Sequence, residues 1–169
     1  QEASAANATG SKAAQSESSD GLVDIVVTAQ RREESSQRVP ISMTALDSSA
    51  VRTLQTSGDL GQLVPNVQIE QTSGFGLNRT GIRGIAQGDF NGNSTTSNMV
   101  YLDELPMNAI FAQGVPLWDI ARAEVLRGPQ GTLFGRNATG GAIRYISQAP
   151  TAAPEGYAEI SYGNSNMRE

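Results

Sequence analysis

Residues that could do chemistry are few in this sequence, and their types and spacing argue against an enzyme. The 169 residues include no histidine and no cysteine, which removes Ser-His-Asp and Cys-His catalysis, ordinary zinc sites and disulfides. Asp103, Glu104, Asp119 and Glu124 could supply an acid–base pair, but nothing in their spacing brings two of them together. We therefore predict no catalytic residues, no cofactor and no enzymatic activity.

A glycine-rich stretch, ARAEVLRGPQGTLFGRNATGGAIRYIS, raises the question of a phosphate site. A P-loop needs lysine and then serine or threonine directly after its last glycine, whereas Gly135 is followed by Arg136 and Asn137. The net charge of −5 also argues against a nucleic-acid partner, since phosphate binding needs a surplus of clustered basic residues. Sharp turns or the close approach of two backbone segments explain the glycines better.

A polar loop, GDFNGNSTTSN, offers oxygen ligands for a metal. Asp89, Asn91 and Asn93 fall at the first, third and fifth positions of an EF-hand-like series. The sixth position is Ser94 rather than glycine, and the twelfth is Val100 rather than glutamate. We predict a flexible surface loop and no metal site, with a weak calcium site as the alternative.

The elements that would position a site form one small domain behind a polar arm. Residues 1–21 are mostly alanine, serine, glutamine and asparagine, which predicts a disordered arm. Residues 39–149 combine short strands and short helices without a βαβ rhythm, which predicts an α+β fold with a small mixed β-sheet and long loops. Asp47 is the predicted N-cap of the helix in DSSAVRTLQTSG, and Gly58 is its predicted stop. The other predicted elements are strands in VPISMTAL, NVQIEQ, TGIRGI, MVYLDELPM, RAEVLRG and GAIRYISQ, and helical turns in DLGQLV and VPLWDIA.

Two segments flank that domain. Residues 22–38 place the β-prone patch DIVVTA before the charged, flexible spacer QRREESSQ. Residues 25–27 could be the first strand of the sheet, or a free peptide that adds itself to the sheet edge of a partner. Residues 150–169 are predicted to be a linker followed by YAEISYG, whose alternation fits the start of a membrane-barrel strand or an ordinary edge strand. Because one such strand cannot close a barrel, we expect the chain to be a piece of a larger protein.

These motifs, in their order along the chain, resemble the plug domain of TonB-dependent outer-membrane receptors. DIVVTA resembles the TonB box, and VPISMTALDSSAVRTLQTSGDLGQLVPNVQI resembles the plug's first strand, helix and P-x-V strand. GIRGI, VYLDELPM and above all ARAEVLRGPQGTLFGRNATGGAIRYIS match the remaining segments. There are two departures: DELP, with Glu104 in place of glycine, stands where DGVP is commoner in the family, and ATGGAIRYIS stands where GGVINI is commoner.

The resemblance implies a mechanism and partners. The domain would fill the lumen of an outer-membrane barrel of roughly 22 strands, which is not in this chain, and the box would face the periplasm. The C-terminal domain of TonB would capture the box by strand addition and pull, which would remodel the plug. The cargo would be a small molecule such as an iron chelate, a vitamin or a carbohydrate. The predicted TonB-binding residues are Asp24, Ile25, Val26, Val27, Thr28 and Ala29.

The resemblance also implies contacts with the cargo and with the barrel. The apical loops would be residues 75–83, 87–97 and 107–118. The predicted substrate contacts within them are Arg83, Phe111 and Trp118. The predicted contacts with the barrel wall are Glu124, Arg127 and Arg136. Ion pairs within the domain are the alternative for the charged residues that flank the glycine-rich turn.

Three functions stay open at the level of sequence. A transport plug predicts binding to TonB and a barrel further along the protein. A soluble ligand-binding module that acts without a barrel predicts a stable ligand complex of this chain alone. A signal-transducing receptor would need a folded domain before the box, and residues 1–21 are too few and too polar for one.

Overall fold

The chain folds into three β-sheets with short helices, in a computed structural model that describes residues 25–28, 34–36, 38–72, 77–87, 94–115, 117–154, 156 and 158. The strands are β1 (Val26–Val27), β2 (Glu34–Ser35), β3 (Met43–Asp47), β4 (Val67–Thr72), β5 (Leu77–Ile82), β6 (Ile85–Ala86), β7 (Asn98–Leu102), β8 (Leu105–Pro106), β9 (Ile120–Arg127) and β10 (Gly141–Ser147). The helices are α1 (Ser48–Arg52), α2 (Leu60–Leu63) and α3 (Gly131–Phe134), with 3₁₀ turns at Ser57–Asp59 and Ile110–Ala112. Within the described ranges, no helix has the length and apolar character needed to cross a membrane. The predicted arm, residues 88–93 of the polar loop and most of the predicted barrel strand lie outside the described residues.

The central sheet has five strands in the order β3-β9-β10-β7-β8. β10 pairs in parallel with β7, and the other neighbours are antiparallel. β10 is buried from Gly141 to Tyr145, as expected for a central strand covered on both faces. A second, antiparallel sheet has the order β4-β5-β6, and β1 pairs with β2 alone. The mixed central sheet with few short helices confirms the predicted fold class.

Apolar side chains cover both faces of the central sheet. On one face, Val125 belongs to the main core, which also contains residues from α1, α2, β4 and β5. On the opposite face, Leu126 belongs to a second cluster with Phe134 of α3 and Val27 of β1. Successive residues of a strand point to opposite faces, so the neighbours Val125 and Leu126 mark the two sides. The N-terminal segment lies on the second face.

The first helix begins where predicted but ends earlier. Asp47 accepts a hydrogen bond from the amide of Ala50 at 2.8 Å, which confirms it as the N-cap of α1. The prediction that Gly58 ends this helix is wrong, because α1 stops short of it and Gly58 lies in the following 3₁₀ turn. A local signal starts that new turn: the amide of Thr56 donates to the carboxylate of Asp59, which forms a capping box.

Two segments predicted as single strands are hairpins. TGIRGI contributes to β5 and β6 around Arg83 and Gly84, whose φ angles of 53° and 77° are left-handed. Two consecutive left-handed residues make the type I′ turn that suits tight hairpins. MVYLDELPM contributes to β7 and β8 around Asp103 and Glu104, and Asp103 takes the left-handed φ of 52°. Glu104 has no positive φ, so this turn does not need glycine at position 104, although glycine is commoner there in the family.

Helical structure around β9 also differs from the prediction. VPLWDIA was expected to contain a helical turn, but Trp118 and Asp119 form a non-helical turn in which Asp119 has a φ of 59°. The short helix α3 inside the glycine-rich stretch was not predicted. Glycines there serve turns and close approach, as expected: Gly128 has a φ of 99°, and a β-carbon on Gly141 would collide with the carbonyl oxygen of Leu126.

Buried amides tie the second sheet to its neighbours, and one of them ties it to the central sheet. Asn98 of β7 is fully buried, and its Nδ2 donates to the carbonyl oxygens of Thr80 at 2.8 Å and Ile85 at 2.7 Å. Asn78 of β5 is also buried, and it donates to the hydroxyl oxygen of Ser57 at 3.0 Å and to the carbonyl oxygen of Gln113 at 3.4 Å, which ties β5 to the two 3₁₀ turns. Hydrogen bonds as well as apolar packing therefore hold these two sheets together.

Candidate functional site

The segment that resembles a TonB box lies against the second apolar face. β1 pairs antiparallel with β2 in a separate two-stranded sheet, so it is not a strand of the central sheet. Val27 is fully buried in the second cluster, whereas Val26 points outward and is 54% exposed. Asp24 and Ala29 lie outside the described residues. The described part of the box is therefore extended and docked.

The main-chain groups of Thr28 are bound by side chains of the central sheet. Its N–H donates to Oε1 of Glu124 at 2.9 Å, and its carbonyl oxygen accepts from Nη1 of Arg144 at 2.7 Å. Its hydroxyl oxygen accepts from the same Nη1 at 2.9 Å and from Nη2 of Arg122 at 3.2 Å. Charged side chains thus hold the end of the docked segment.

These side chains belong to what we call the charge cluster, formed by Glu104, Arg122, Glu124 and Arg144. Glu124 and Arg144 are register partners on β9 and β10, and Oε2 lies 2.8 Å from Nη1. Glu124 also contacts Nε of Arg122 at 2.8 Å, and Nη2 of Arg144 contacts Glu104 at 2.6 Å. The side chains of Glu124 and Arg144 are 0% and 2% exposed, while that of Glu104 is 63% exposed. The cluster has two positive and two negative side chains, so its net charge is zero. The two buried members, Glu124 and Arg144, are paired with each other, as buried charges require.

Two of the three predicted barrel-wall residues make their contacts inside the domain. Glu124 exposes no surface, and its ion pairs with Arg122 and Arg144 are the alternative that the sequence left open. Arg127 donates to the carbonyl oxygens of Met43 at 3.2 Å and Pro65 at 3.3 Å. Glu124 thus makes contacts within the domain in place of the predicted wall contact, whereas Arg127 is part-exposed and its wall contact stays a prediction. The third, Arg136, is exposed after α3, and its wall contact stays a prediction.

The three predicted substrate contacts all lie on exposed turns. Arg83 is in the β5–β6 turn, Phe111 is in a 3₁₀ turn and is 64% exposed, and Trp118 precedes β9 and is 82% exposed. Loops on a rigid scaffold often carry binding residues. Their role in substrate binding stays a prediction.

The metal candidates cannot be placed, whereas the acid–base candidate Asp103 makes contacts inside the domain. Asp89, Asn91 and Asn93 lie outside the described residues. Among the residues that are described, no group of three acidic side chains could hold a metal ion. Asp103 accepts hydrogen bonds from the amide of Ser147 at 2.9 Å and from its hydroxyl at 3.0 Å, which fixes the β7–β8 turn to β10.

Comparison with known proteins identifies the family. Residues 35–142 match the TonB-dependent Receptor Plug Domain family, and this chain belongs to it. The matched range contains Glu104, Arg122 and Glu124 and ends shortly before Arg144. The box segment lies before it.

The similar proteins are longer receptors. The pesticin receptor of Yersinia pestis is 31% identical over 139 residues, which cover 80% of this chain and 20% of that protein. The vitamin B12 transporter BtuB of Vibrio vulnificus is 26% identical over 149 residues, with 84% and 23% covered. Among solved structures, the ferric yersiniabactin uptake receptor FyuA from Yersinia pestis has a TM-score of 0.63 and 28% identity, over 72% of this chain and 19% of that chain. The chain therefore spans about a fifth of the length of these relatives.

Sequence reasoning missed Arg122 and Arg144. Arg144 interrupts the otherwise apolar strand GAIRYIS, and a charge buried in such a strand must find an opposite charge. That interruption was the available signal. The partner could not be assigned from it, because pairing depends on the register of β9 and β10.

Proposed function

We propose that this chain is the plug of an outer-membrane transporter, that it fills a barrel formed by another part of the same protein, and that TonB captures residues 24–29 from the periplasm. The family assignment supports the plug role. The observation that carries the capture step is that the box has little strand pairing of its own. Among the described residues, it forms a strand of two residues that pairs with another two-residue strand.

Capture by strand addition suits this geometry. Main-chain hydrogen bonds carry most of the affinity in strand addition, so a short segment suffices. A two-stranded hairpin is marginally stable in water by itself, so the pairing of β1 with β2 would offer little resistance to a strand of TonB. Because alternate side chains face opposite sides of a strand, Val26 is already exposed to an incoming partner while Val27 is buried.

For the cargo, we propose a small molecule of the iron-chelate or vitamin class, bound at the apical turns. Similarity to receptors named for ferric yersiniabactin and vitamin B12 supports this class. Phe111 and Trp118 would supply apolar and stacking contacts. Trp118 is the sole tryptophan of the chain, so a ferric chelate or cobalamin bound there should quench its fluorescence. If ferric yersiniabactin or cobalamin binds by calorimetry and leaves the fluorescence unchanged, a Trp118 contact is contradicted.

A soluble module that acts without a barrel is not favoured. The pesticin receptor extends far beyond the matched region, which covers only 20% of its length. Its similarity to this chain therefore supports a plug that works inside a larger protein.

Disulfide scanning tests the capture step. The chain has no cysteine, so Val26→Cys or Thr28→Cys introduces a unique thiol that can be paired with single cysteines on the C-terminal domain of TonB. We expect disulfide formation at both positions. Ser49→Cys, on the exposed face of α1, is the matched control and should not react with TonB. Yields at the box no higher than at the control would argue against capture.

A further inference from the structure

The main-chain groups of Thr28 are occupied in a way that TonB cannot share. Strand addition needs the N–H and carbonyl groups of the captured segment. In the docked state, the N–H of Thr28 is used by Glu124 and its carbonyl oxygen by Arg144, at 2.9 Å and 2.7 Å. A strand of TonB that used these groups would first have to displace two charged side chains.

The clamping side chains keep each other paired when Thr28 leaves. Glu124 retains its contacts with Arg122 and Arg144, and Arg144 retains its contacts with Glu124 and Glu104. Release of Thr28 would therefore break its bonds to Glu124 and Arg144 while both side chains keep their ion pairs. An unpaired buried charge, which is strongly destabilising, would not be left behind. The arrangement is thus suited to reversible opening.

Two departures from the commoner family motifs meet in this cluster. DELP in place of DGVP supplies Glu104, and alignment of GGAIRY with GGVINI puts Arg144 at the asparagine. In the structure these two side chains form an ion pair at 2.6 Å. A glycine and an asparagine could not form it. The pair connects buried Arg144 to the exposed side chain of Glu104.

We infer that Arg144, oriented by Glu104 and Glu124, is a positioning residue that clamps Thr28 on the central sheet and thereby sets how readily TonB captures the box. The inference rests on the proposed capture of residues 24–29. Only the unclamped fraction of the chain can bind, so the apparent Kd for TonB equals the intrinsic Kd divided by that fraction. Weakening the clamp should tighten TonB binding although Arg144 lies outside the box.

Arg144→Met tests the clamp, because methionine keeps much of the side chain's length and removes the guanidinium. The first measurement is amide hydrogen exchange of Thr28 in the 169-residue chain without TonB. We expect it to accelerate about tenfold or more relative to Ile82, because Thr28 loses the bonds from Arg144 to its carbonyl and hydroxyl oxygens and the docked segment then opens more often. The second measurement is the Kd for the C-terminal domain of TonB, which should fall by about the same factor. Arg52→Met, at an exposed arginine of α1 outside the cluster, should change neither quantity.

A second variant covers the case in which Arg144→Met does not fold. Glu104→Gln changes an exposed side chain and should give smaller increases in Thr28 exchange and in TonB affinity. Unchanged exchange in a folded Arg144→Met, or in Glu104→Gln if the first variant does not fold, would overturn the clamp. Faster exchange with an unchanged Kd would overturn its role in capture. Faster exchange without TonB binding to any variant or to the wild type would preserve the clamp and refute the proposed capture.

Discussion

Replacing Asn98 by alanine should weaken the attachment of the second sheet to the central sheet and destabilise the domain. Asn98 is fully buried and donates to the carbonyl oxygens of Thr80 and Ile85 at 2.8 Å and 2.7 Å. Each hydrogen bond contributes about 1 kcal/mol net, and a buried acceptor left without a donor costs about 1–3 kcal/mol. Asn98→Ala should therefore lower the free energy of unfolding by about 2–4 kcal/mol, a large share of the stability of a small domain.

Urea denaturation of the 169-residue chain, followed by circular dichroism, measures this loss. Asn108→Ala is the matched control, because Asn108 is exposed and its removal should change the free energy by no more than about 0.5 kcal/mol. A loss below about 1 kcal/mol for Asn98→Ala, or equal midpoints for the two variants, would refute the argument that the buried amide of Asn98 holds the two sheets together.

Three further substitutions test local features. Asp47→Ala should lower stability at neutral pH by about 1 kcal/mol in urea melts, as is typical of an N-cap. The hydrogen bond from the backbone amide of Ala50 lowers the pKa of Asp47 below its ordinary 3.8. The contribution of the Asp47 charge to the free energy of unfolding is therefore complete above pH 3.8 and is lost as pH falls through the pKa of the folded state. A stability difference between wild type and Asp47→Ala that does not shrink in acid would contradict this. Burial raises the pKa of Tyr145 above its ordinary 10.0, so the stability linked to this phenol is complete below pH 10 and lost at higher pH. Tyr145→Phe should therefore delay alkaline unfolding and remove the latest step of tyrosinate absorbance. An unchanged alkaline profile would contradict this. Gly141→Ala should lower the free energy of unfolding by about 1–3 kcal/mol, because the added methyl group meets the carbonyl oxygen of Leu126. Gly131→Ala is the control, because a methyl group there faces open space. Equal thermal midpoints for the two variants would contradict the close approach of Gly141 to Leu126.

Much of the fold was predictable because its signals are local. The alternation in NVQIEQ and the apolar run in GAIRYIS identified β4 and β10, and the position of Asp47 before a short apolar pattern identified the start of α1. The β5–β6 turn was missed because Arg83 takes a left-handed φ that non-glycine residues rarely adopt. The helix α3 was missed because four residues are too few to show a helical period.

The site was predictable only in part. The box was found by its likeness to a family motif, but its docking depends on contacts such as that between Thr28 and Glu124, which are 96 positions apart in the chain. Sequence spacing carries no information about such a contact until the register of β9 and β10 is known. For the same reason, Glu124 was expected at the barrel wall, whereas in the structure it is enclosed between Arg122 and Arg144.

The most direct test of the proposed capture is an NMR titration of the isotope-labelled chain with the C-terminal domain of TonB. We expect the resonances of residues 25–28 to shift while that of Ile143 in the core stays in place. Val27→Pro, which lacks the backbone N–H needed for strand pairing, should not bind, and Val27→Ala, which keeps it, should bind. Shifts confined to other parts of the chain, or equal binding by both variants, would contradict capture of the box by strand addition.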